Sequence, residues 1–453
     1  MTDSFAERRL GFTGDPLRIA TAWAAQSPGP YVLYENHGQV CWAEGAHLLV
    51  RIMADRVLVD QAGTRRSFDA HGDPLATAGA CLESIAGQAW RAYGWVSFEL
   101  EGALHGRAHS RDAVLGCLMV PRREVRFGRT DVVLRAIDSA DLGRLQTKLS
   151  DSAPEATAAR ATGAMTAAVD IDYGADAYRT AVTASIDAIR SGRLDKVVLS
   201  RVVPISGEID VPASYLRGRR ANDPARSFLI DIGGWQAAGF SPEIVARVDA
   251  RGEVMSQPLA GTRALLGDAA DQDRRAELVR DPKEVFEHAI SVRIAADELS
   301  TVCADGTVGV REFMRVKERG SVQHLASELV GVLAPGRNRW DALAALFPAV
   351  TASGVPKAAA CQLIGELEPV PRELYGGAVL TVDCDGDLDA ALTLRAVFRH
   401  GGHTWLRAGA GIVAQSSPER ELEETKEKLR SVSRYLVSAE PSVQGTAAAG
   451  AVA

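Results

Sequence analysis

The last third of the chain contains a stretch that admits few folds. Residues 375–413, YGGAVLTVDCDGDLDAALTLRAVFRHGGHTWLRAGAGIV, break into short β-prone runs separated by turn signals such as Asp385-Gly386. Runs this close together pair as antiparallel neighbours, because a parallel pair needs a crossover of a dozen or more residues. The same texture recurs in FLIDIGG, WQAAGF and EIVARVDARGEVMSQPLAG. It recurs earlier in YVLYENHGQVCWAEGAHLLVRIMADRVLVD, AYGWVSFEL and GCLMV, so residues up to about 135 are expected to be strand-rich.

Helices interrupt these meanders at intervals. ADAYRTAVTASIDAIRSGR (175–193) repeats Tyr178, Val182, Ile186 and Ile189 at helical spacing and stops at Gly192. KVVLSRVVPI then reads as a buried strand. Long helices are expected near 282–300 and 338–347, and another from Ser417; residues 138–170 read as a helix followed by a loose connection. Meandering strands without strict βαβ alternation predict an α+β fold rather than a doubly wound sheet. At 453 residues, 46% of them hydrophobic, the chain can bury a large core, and length alone suggests two or three domains. The tail AEPSVQGTAAAGAVA (439–453) is small and polar and is expected to be disordered.

Several function classes are disfavoured. A net charge of −7 argues against a general nucleic-acid binder. No run is long and apolar enough to span a bilayer. MTDSFAERRLGF has no apolar core of a secretory signal, and the six cysteines form no C-x-x-C pair, so a reducing cytoplasm is expected. Cys361 reads as a small buried hydrophobe. DCDGDLD (383–389) lacks the sixth-position glycine of a calcium loop and reads as a β-turn. AGAG (408–411) lacks the context of a dinucleotide fingerprint.

Two acidic helices stand out. In SPERELEETKEKL (417–429), Ser417 suits the N-cap and Pro418 the first turn. Glu421, Glu424 and Lys428 fall within an arc of roughly 60°, bordered by the apolar stripe Leu422, Leu429, Val432 and Leu436. Glu423 and Glu427 point away, toward water. In DPKEVFEHAISVRIAADEL (281–299), Asp281 and Pro282 open the helix. Glu284 sits where a capping box would place it, and Glu287 shares a face with Ile290 and Ile294 that looks buried. Each helix thus carries E-x-x-E. Each has a plainer reading, a solvated face with an i,i+4 Glu424–Lys428 pair in one and a cap in the other. Together they would offer up to four carboxylates to a hard divalent cation such as Mg²⁺.

DKVVLSR (195–201), GFSPEIV (239–245), PLAGTRA (258–264), DPKEVFEH (281–288), RVKERGSVQHL (315–325), FPAVTASGVPK (347–357), LYGGAVL (374–380), DAALTLRA (389–396), LRAGAGIV (406–413) and ERELEETKEKL (419–429) follow one another in the order found in chorismate-utilising enzymes. The chain resembles that family, which includes anthranilate, aminodeoxychorismate, isochorismate and salicylate synthases, over about residues 175–438. KERGSVQHL and FPAVTASGVPK are most similar to salicylate synthases of mycobactin-type siderophore pathways. The resemblance implies one large domain over 1–438, with a strand-rich part (1–170), a motif-bearing part (175–438), a β-sandwich core and helices packed outside. It also implies chorismate as substrate and Mg²⁺ as cofactor; with the charge and apolar runs above, no nucleic-acid or membrane partner is expected, and since nothing in the sequence demands an oligomer, a monomer is expected.

The resemblance also assigns roles. Lys196 matches the position where water-using members carry lysine, a general base for attack at C2 of chorismate. Glu243 matches the general acid that protonates the departing C4 hydroxyl. Ala260 stands where aminodeoxychorismate synthases carry a nucleophilic lysine, which favours water chemistry. The metal would be held by Glu287 and Glu424, with Glu284 and Glu421 nearby. Arg395 and Tyr375 would clamp the enolpyruvyl carboxylate. Thr262, His324, Thr351, Leu394, Ala408, Gly409, Gly411 and Lys428 fall at substrate-lining positions. Read singly, Lys196 is also a surface lysine opening a strand, Glu243 a turn residue, Arg395 a structural arginine and His324 a satisfied core histidine. The expected reaction passes from chorismate through isochorismate to salicylate and pyruvate. An isochorismate synthase would need the same lysine, acid and metal, and Gln257, in place of an expected glutamate, keeps that alternative open. An anthranilate-type synthase and a silent chorismate-binding protein are the remaining alternatives.

Overall fold

The structure is a computed structural model. It describes residues 5–36, 38–85, 89–107, 112–152, 166–320 and 322–439. The tail expected to be disordered lies, apart from residue 439, outside the described residues, as does part of the connection after residue 152.

Among the described residues, twenty-one strands form one continuous hydrogen-bonded network. It folds over on two long strands, Gln39–Ile52 and Gly116–Phe127, which pair with each other and belong to both halves. From the first part of Gln39–Ile52, which lies against the last part of Gly116–Phe127, one layer runs through Tyr31–Asn36, Arg226–Ile232, Trp235–Ser241, Ala396–His400, His403–Ile412 and Lys196–Pro204. From their other parts a second layer runs through Arg91–Val96, Ala378–Asp383, Leu388–Leu392, Ile244–Val248 and Glu253–Gln257 to Val322–Val332. Leu259–Ala264 and Gly309–Arg319 complete its far edge. Every pair among these strands is antiparallel, as short hairpin connections require. Gly401 and Gly402 show why: at φ +55° and +81° they form the two-residue turn whose twist matches the flanking strands.

The two layers pack face to face. Tyr34, Trp95, Met119, Phe228, Ile230, Trp235, Val379 and Phe398 fill the space between them, with Trp95 and Trp235 edge to face at 6.2 Å. Helices cover the outsides. Pro74–Ile85, Pro282–Ser300 and Arg339–Leu346 lie over one layer, and Pro16–Gln26, Ser139–Ser152, Val211–Ala221 and Pro418–Ser433 over the other. Ala175–Arg190 buries Tyr178, Val182, Ile186 and Ile189, each worth about 1.5–3 kcal/mol against exposure. The fold is therefore α+β with a sandwiched β core.

Some expectations need correction. The helix expected over 338–347 has only 8 residues. Among the described residues the strand-rich part up to about 135 contains three helices, Pro16–Gln26, Pro74–Ile85 and the short Leu100–Leu104. The Pro282–Ser300 helix buries Glu284, Glu287, His288, Ser291, Val292, Ala295 and Leu299, while Ile290 and Ile294 are only half-buried. The amphipathic stripe is rotated by one position, because the helix packs its small and polar face onto the sheet edge.

Candidate active site

A cavity of about 420 Å³ lies where both layers meet the two acidic helices. Its walls include Lys196, Glu243, Thr262, His324, Thr351, Tyr375, Leu394, Arg395, Ala408, Gly409, Gly411 and Lys428, together with Glu284, Glu287 and Glu424. Glu421 is fully buried behind this wall. The structure thus gathers the sequence-singled residues from both layers and both helices.

The cavity floor is the pair Lys196–Pro204 and His403–Ile412, in which Gly409 stands opposite Ser200 and Gly411 opposite Val198. A Cβ on Gly409 would lie 2.5 Å from the Leu199 carbonyl oxygen and 3.0 Å from the Tyr375 hydroxyl, so only glycine fits. Lys196 opens its strand and is buried, with Nζ 3.4 Å from Glu287 Oε2. Lys428 reaches down from the Pro418–Ser433 helix, donating to the Gly409 carbonyl at 2.8 Å and to Glu424 at 2.7 Å.

Glu243 lies between strands Trp235–Ser241 and Ile244–Val248 and is 4% exposed. Burial pushes its carboxyl up to about 8, against the opposing pull of the Thr351 hydroxyl, the Leu259 backbone and Lys196. Thr351 Oγ1 donates to Glu243 Oε1 at 2.5 Å. A carboxylic acid held protonated at neutral pH beside a lysine is the arrangement of an acid–base pair.

On another wall, Thr262 and His324 are cross-strand partners. His324 Nδ1 is 3.1 Å from the Gly261 carbonyl, an acceptor only, so Nδ1 carries the ring proton. Nε2 accepts from Arg395 Nη2 at 2.9 Å. Burial, reinforced by Arg395, holds His324 neutral. Arg395 sits at φ +50°, a costly conformation for a residue with a Cβ. Burial, then Arg319, lowers its guanidinium to about 10. Among the described residues no carboxylate pairs with it, and a cation held in a cavity wall without a counter-charge is a site for an anion.

The acidic helices divide their glutamates. Ser417 caps its helix by accepting from Arg420 N, with Pro418 in the first turn. Glu423 and Glu427 are exposed at the cavity mouth, Glu424 is half-buried and Glu421 is 0% exposed. On the partner helix Asp281 accepts from the backbone of Lys283 and Glu284. The side chain of Glu284 is not spent on a reciprocal cap; it faces Arg263 at 3.3 Å. Burial, then Glu424, raises the Glu421 carboxyl, and burial, then Glu287, raises that of Glu284. Burial also works against the charge on Glu424, but Lys428, Lys283 and Lys196 outweigh it and hold that carboxyl low.

As placed, no three acidic, histidine or cysteine side chains among the described residues form a ready metal cage. The donor set nevertheless fits a hard cation. Glu287 Oε1 and both carboxylate oxygens of Glu421 are buried without a hydrogen-bond partner. Such atoms are costly to leave unpaired, and oxygen donors of this kind suit Mg²⁺.

Reading the sequence alone misses four cavity cations: Arg263, Lys283, Arg407 and Arg420. Lys283 carries a usable signal, since it stands i,i+4 from Glu287. A buried cluster below the floor was also illegible. Glu368 accepts from Ser200 N at 2.7 Å and from Arg372 and Arg407, whose guanidiniums flank the Tyr375 ring. No helix among the described residues is long and apolar enough to cross a membrane.

Comparison with known proteins identifies a family. Residues 37–434 match the family model of the chorismate binding enzyme. The chain is 39% identical over 423 residues to the salicylate synthase of Mycolicibacterium paratuberculosis, covering 93% of this chain and 92% of that one. It is 40% identical over 272 residues to anthranilate synthase component 1 of Thermus thermophilus, covering 59% of this chain and 58% of that relative. Among solved structures, anthranilate synthase component I of Streptococcus pneumoniae superposes with a TM-score of 0.74 at 22% identity, covering 90% of this chain and 93% of that one. The menaquinone-specific isochorismate synthase of Escherichia coli superposes at 0.72 and 22%, covering 96% and 95%. On the strength of a family match spanning most of its length, this chain belongs to the chorismate-binding enzymes.

Proposed function

We propose that this enzyme is a Mg²⁺-dependent salicylate synthase, converting chorismate through isochorismate to salicylate and pyruvate for siderophore assembly. The observation that carries the reading is Glu243, an acid protonated up to about pH 8 in the same cavity as buried Lys196. Lys196 takes the proton from water as it attacks C2, and Glu243 gives its proton to the departing C4 hydroxyl. Ala260 lines the cavity and offers no nucleophile of its own. Arg395, bonded to neutral His324 and with no carboxylate partner among the described residues, receives the enolpyruvyl carboxylate together with Tyr375. Thr262, Thr351, Leu394, Ala408, Gly409 and Gly411 shape the pocket around the ring.

Glu284, Glu287, Glu421 and Glu424 would hold the divalent cation, with Lys428 beside them. When bound, the cation supplies the positive charge that lets the ring carboxylate lie against these glutamates. In the second stage the C3–O bond breaks and hydrogen moves from C2 to the enolpyruvyl methylene, releasing pyruvate and an aromatic ring. That stage asks the pocket for orientation and charge complementarity. Every group with a role comes from one chain, so the reading requires only a monomer.

Turnover of chorismate in heavy-oxygen water tests this. Label is expected in the phenolic oxygen of salicylate. Labelled isochorismate accumulating without pyruvate would reassign the enzyme to isochorismate synthesis, and anthranilate formed on adding ammonium would reassign it to the amine branch. Chorismate bound tightly but never converted would mark a silent binding protein.

A further inference from the structure

The cation nearest the unbonded carboxylate oxygens is Lys283, which no motif assigns. It lies one turn before Glu287 in the Pro282–Ser300 helix. Its Nζ is 3.7 Å from Glu287 Oε1 and 3.5 Å from Glu421 Oε1. Those are two of the three glutamate oxygens that lack hydrogen-bond partners at this site. The ammonium therefore sits between the two helices, within electrostatic reach of both carboxylates and hydrogen-bonded to neither. The other basic side chains here face other partners, Arg420 among them, 3.9 Å from Glu284. Lys428 is bonded to Glu424 and the Gly409 carbonyl. Arg263 is held by Asp281, Glu277 and Glu284. Lys196 faces the other oxygen of Glu287.

Glu287 is 7% exposed and Glu421 0%. Two carboxylates this deeply buried repel one another and need positive charge close by. Lys283 supplies it, but from a distance at which neither oxygen is bonded. A divalent cation would take the same oxygens directly and with twice the charge.

We propose that Lys283 is the internal counter-cation of this cluster. It bridges the two helices when no divalent cation is present, and its ammonium competes with that cation for Glu287 and Glu421. The inference rests on reading the cluster as a metal site, and is independent of which product the enzyme releases. It implies that metal binding must displace the ammonium, so the protein's affinity for its cation is set below what four glutamates alone would give.

The test uses the full chain as wild type, Lys283→Met and Lys283→Arg, at one fixed pH. Mn²⁺ binding is followed by the paramagnetic resonance of the free ion, and thermal unfolding is followed with and without Mn²⁺. Without metal, Lys283→Met is expected to unfold several degrees below wild type. It is expected to bind Mn²⁺ roughly tenfold more tightly, and to gain more stability on adding it. Lys283→Arg, which keeps the charge, is expected to stay near wild type in both. If Lys283→Met folds only with Mn²⁺ present, its selective unfolding on chelation, with wild type remaining folded, is the supporting result. Unchanged or weaker Mn²⁺ binding by Lys283→Met, beside a wild type that binds, overturns this inference alone. A wild type that binds no Mn²⁺ overturns the metal reading and this inference with it.

Discussion

Glu243 shows how environment gives an ordinary carboxyl a catalytic task. Burial raises it to about 8, so it is protonated below that pH and loses its proton as pH rises through it. The rate is expected to fall on the alkaline side with an apparent pKa near 8, measured as kcat/KM against pH. Glu243→Gln should lower kcat by about 10²–10⁴-fold and remove that limb of the profile. Arg395→Ala should act differently, by raising KM, because the lost charge-assisted hydrogen bonds are worth about 1.5–3 kcal/mol. Steady-state kinetics separate the two effects. Motif text pointed to Glu243, Lys196 and Arg395, but the protonation of Glu243 and the partners of all three became visible only in the cavity. That no carboxylate among the described residues pairs with Arg395 is a fact of three-dimensional neighbourhood that no local pattern encodes. Lys283 was missed for the opposite reason: its local i,i+4 relation to Glu287 looks like any surface pair until Glu287 is found buried and Lys283 half-buried.

At the scale of elements, the Pro418–Ser433 helix was the most legible. Ser417 as cap, Pro418 in the first turn and the exposed faces of Glu423 and Glu427 follow from residue chemistry and a 100° step, and all appear in the structure. The depth of Glu421 did not follow, since periodicity gives direction but not the distance to the neighbouring helix. Glu421→Gln should leave the fold intact and abolish the rise in melting temperature on adding Mg²⁺, whereas Glu423→Gln should keep it; differential scanning calorimetry checks both. The floor strands make a second prediction. Gly409→Ala would put a methyl 2.5 Å from the Leu199 carbonyl oxygen, forcing His403–Ile412 away from its neighbour. A loss of about 1–3 kcal/mol in denaturant unfolding, with reduced turnover, is expected. The short helices Asp271–Leu278 and Lys357–Leu367 escaped the sequence reading, because two or three turns give too few repeats for a period to emerge.

For the whole molecule, meandering strands with intermittent helices were enough to read an α+β fold, since hairpin spacing is local information. The way one network folds over on Gln39–Ile52 and Gly116–Phe127 was not, because those pairings join segments far apart in sequence. This fold-over is what brings Lys196 from one layer and Glu243 and His324 from the edges of the other to a single cavity. The central claim is that this cavity carries chorismate through both stages. Timed product analysis of chorismate with Mg²⁺, and in parallel with EDTA, tests it most directly. The account predicts salicylate and pyruvate appearing in equal amounts with Mg²⁺ and neither with EDTA. Isochorismate accumulating without pyruvate, or salicylate formed as fast with EDTA as without, would contradict it.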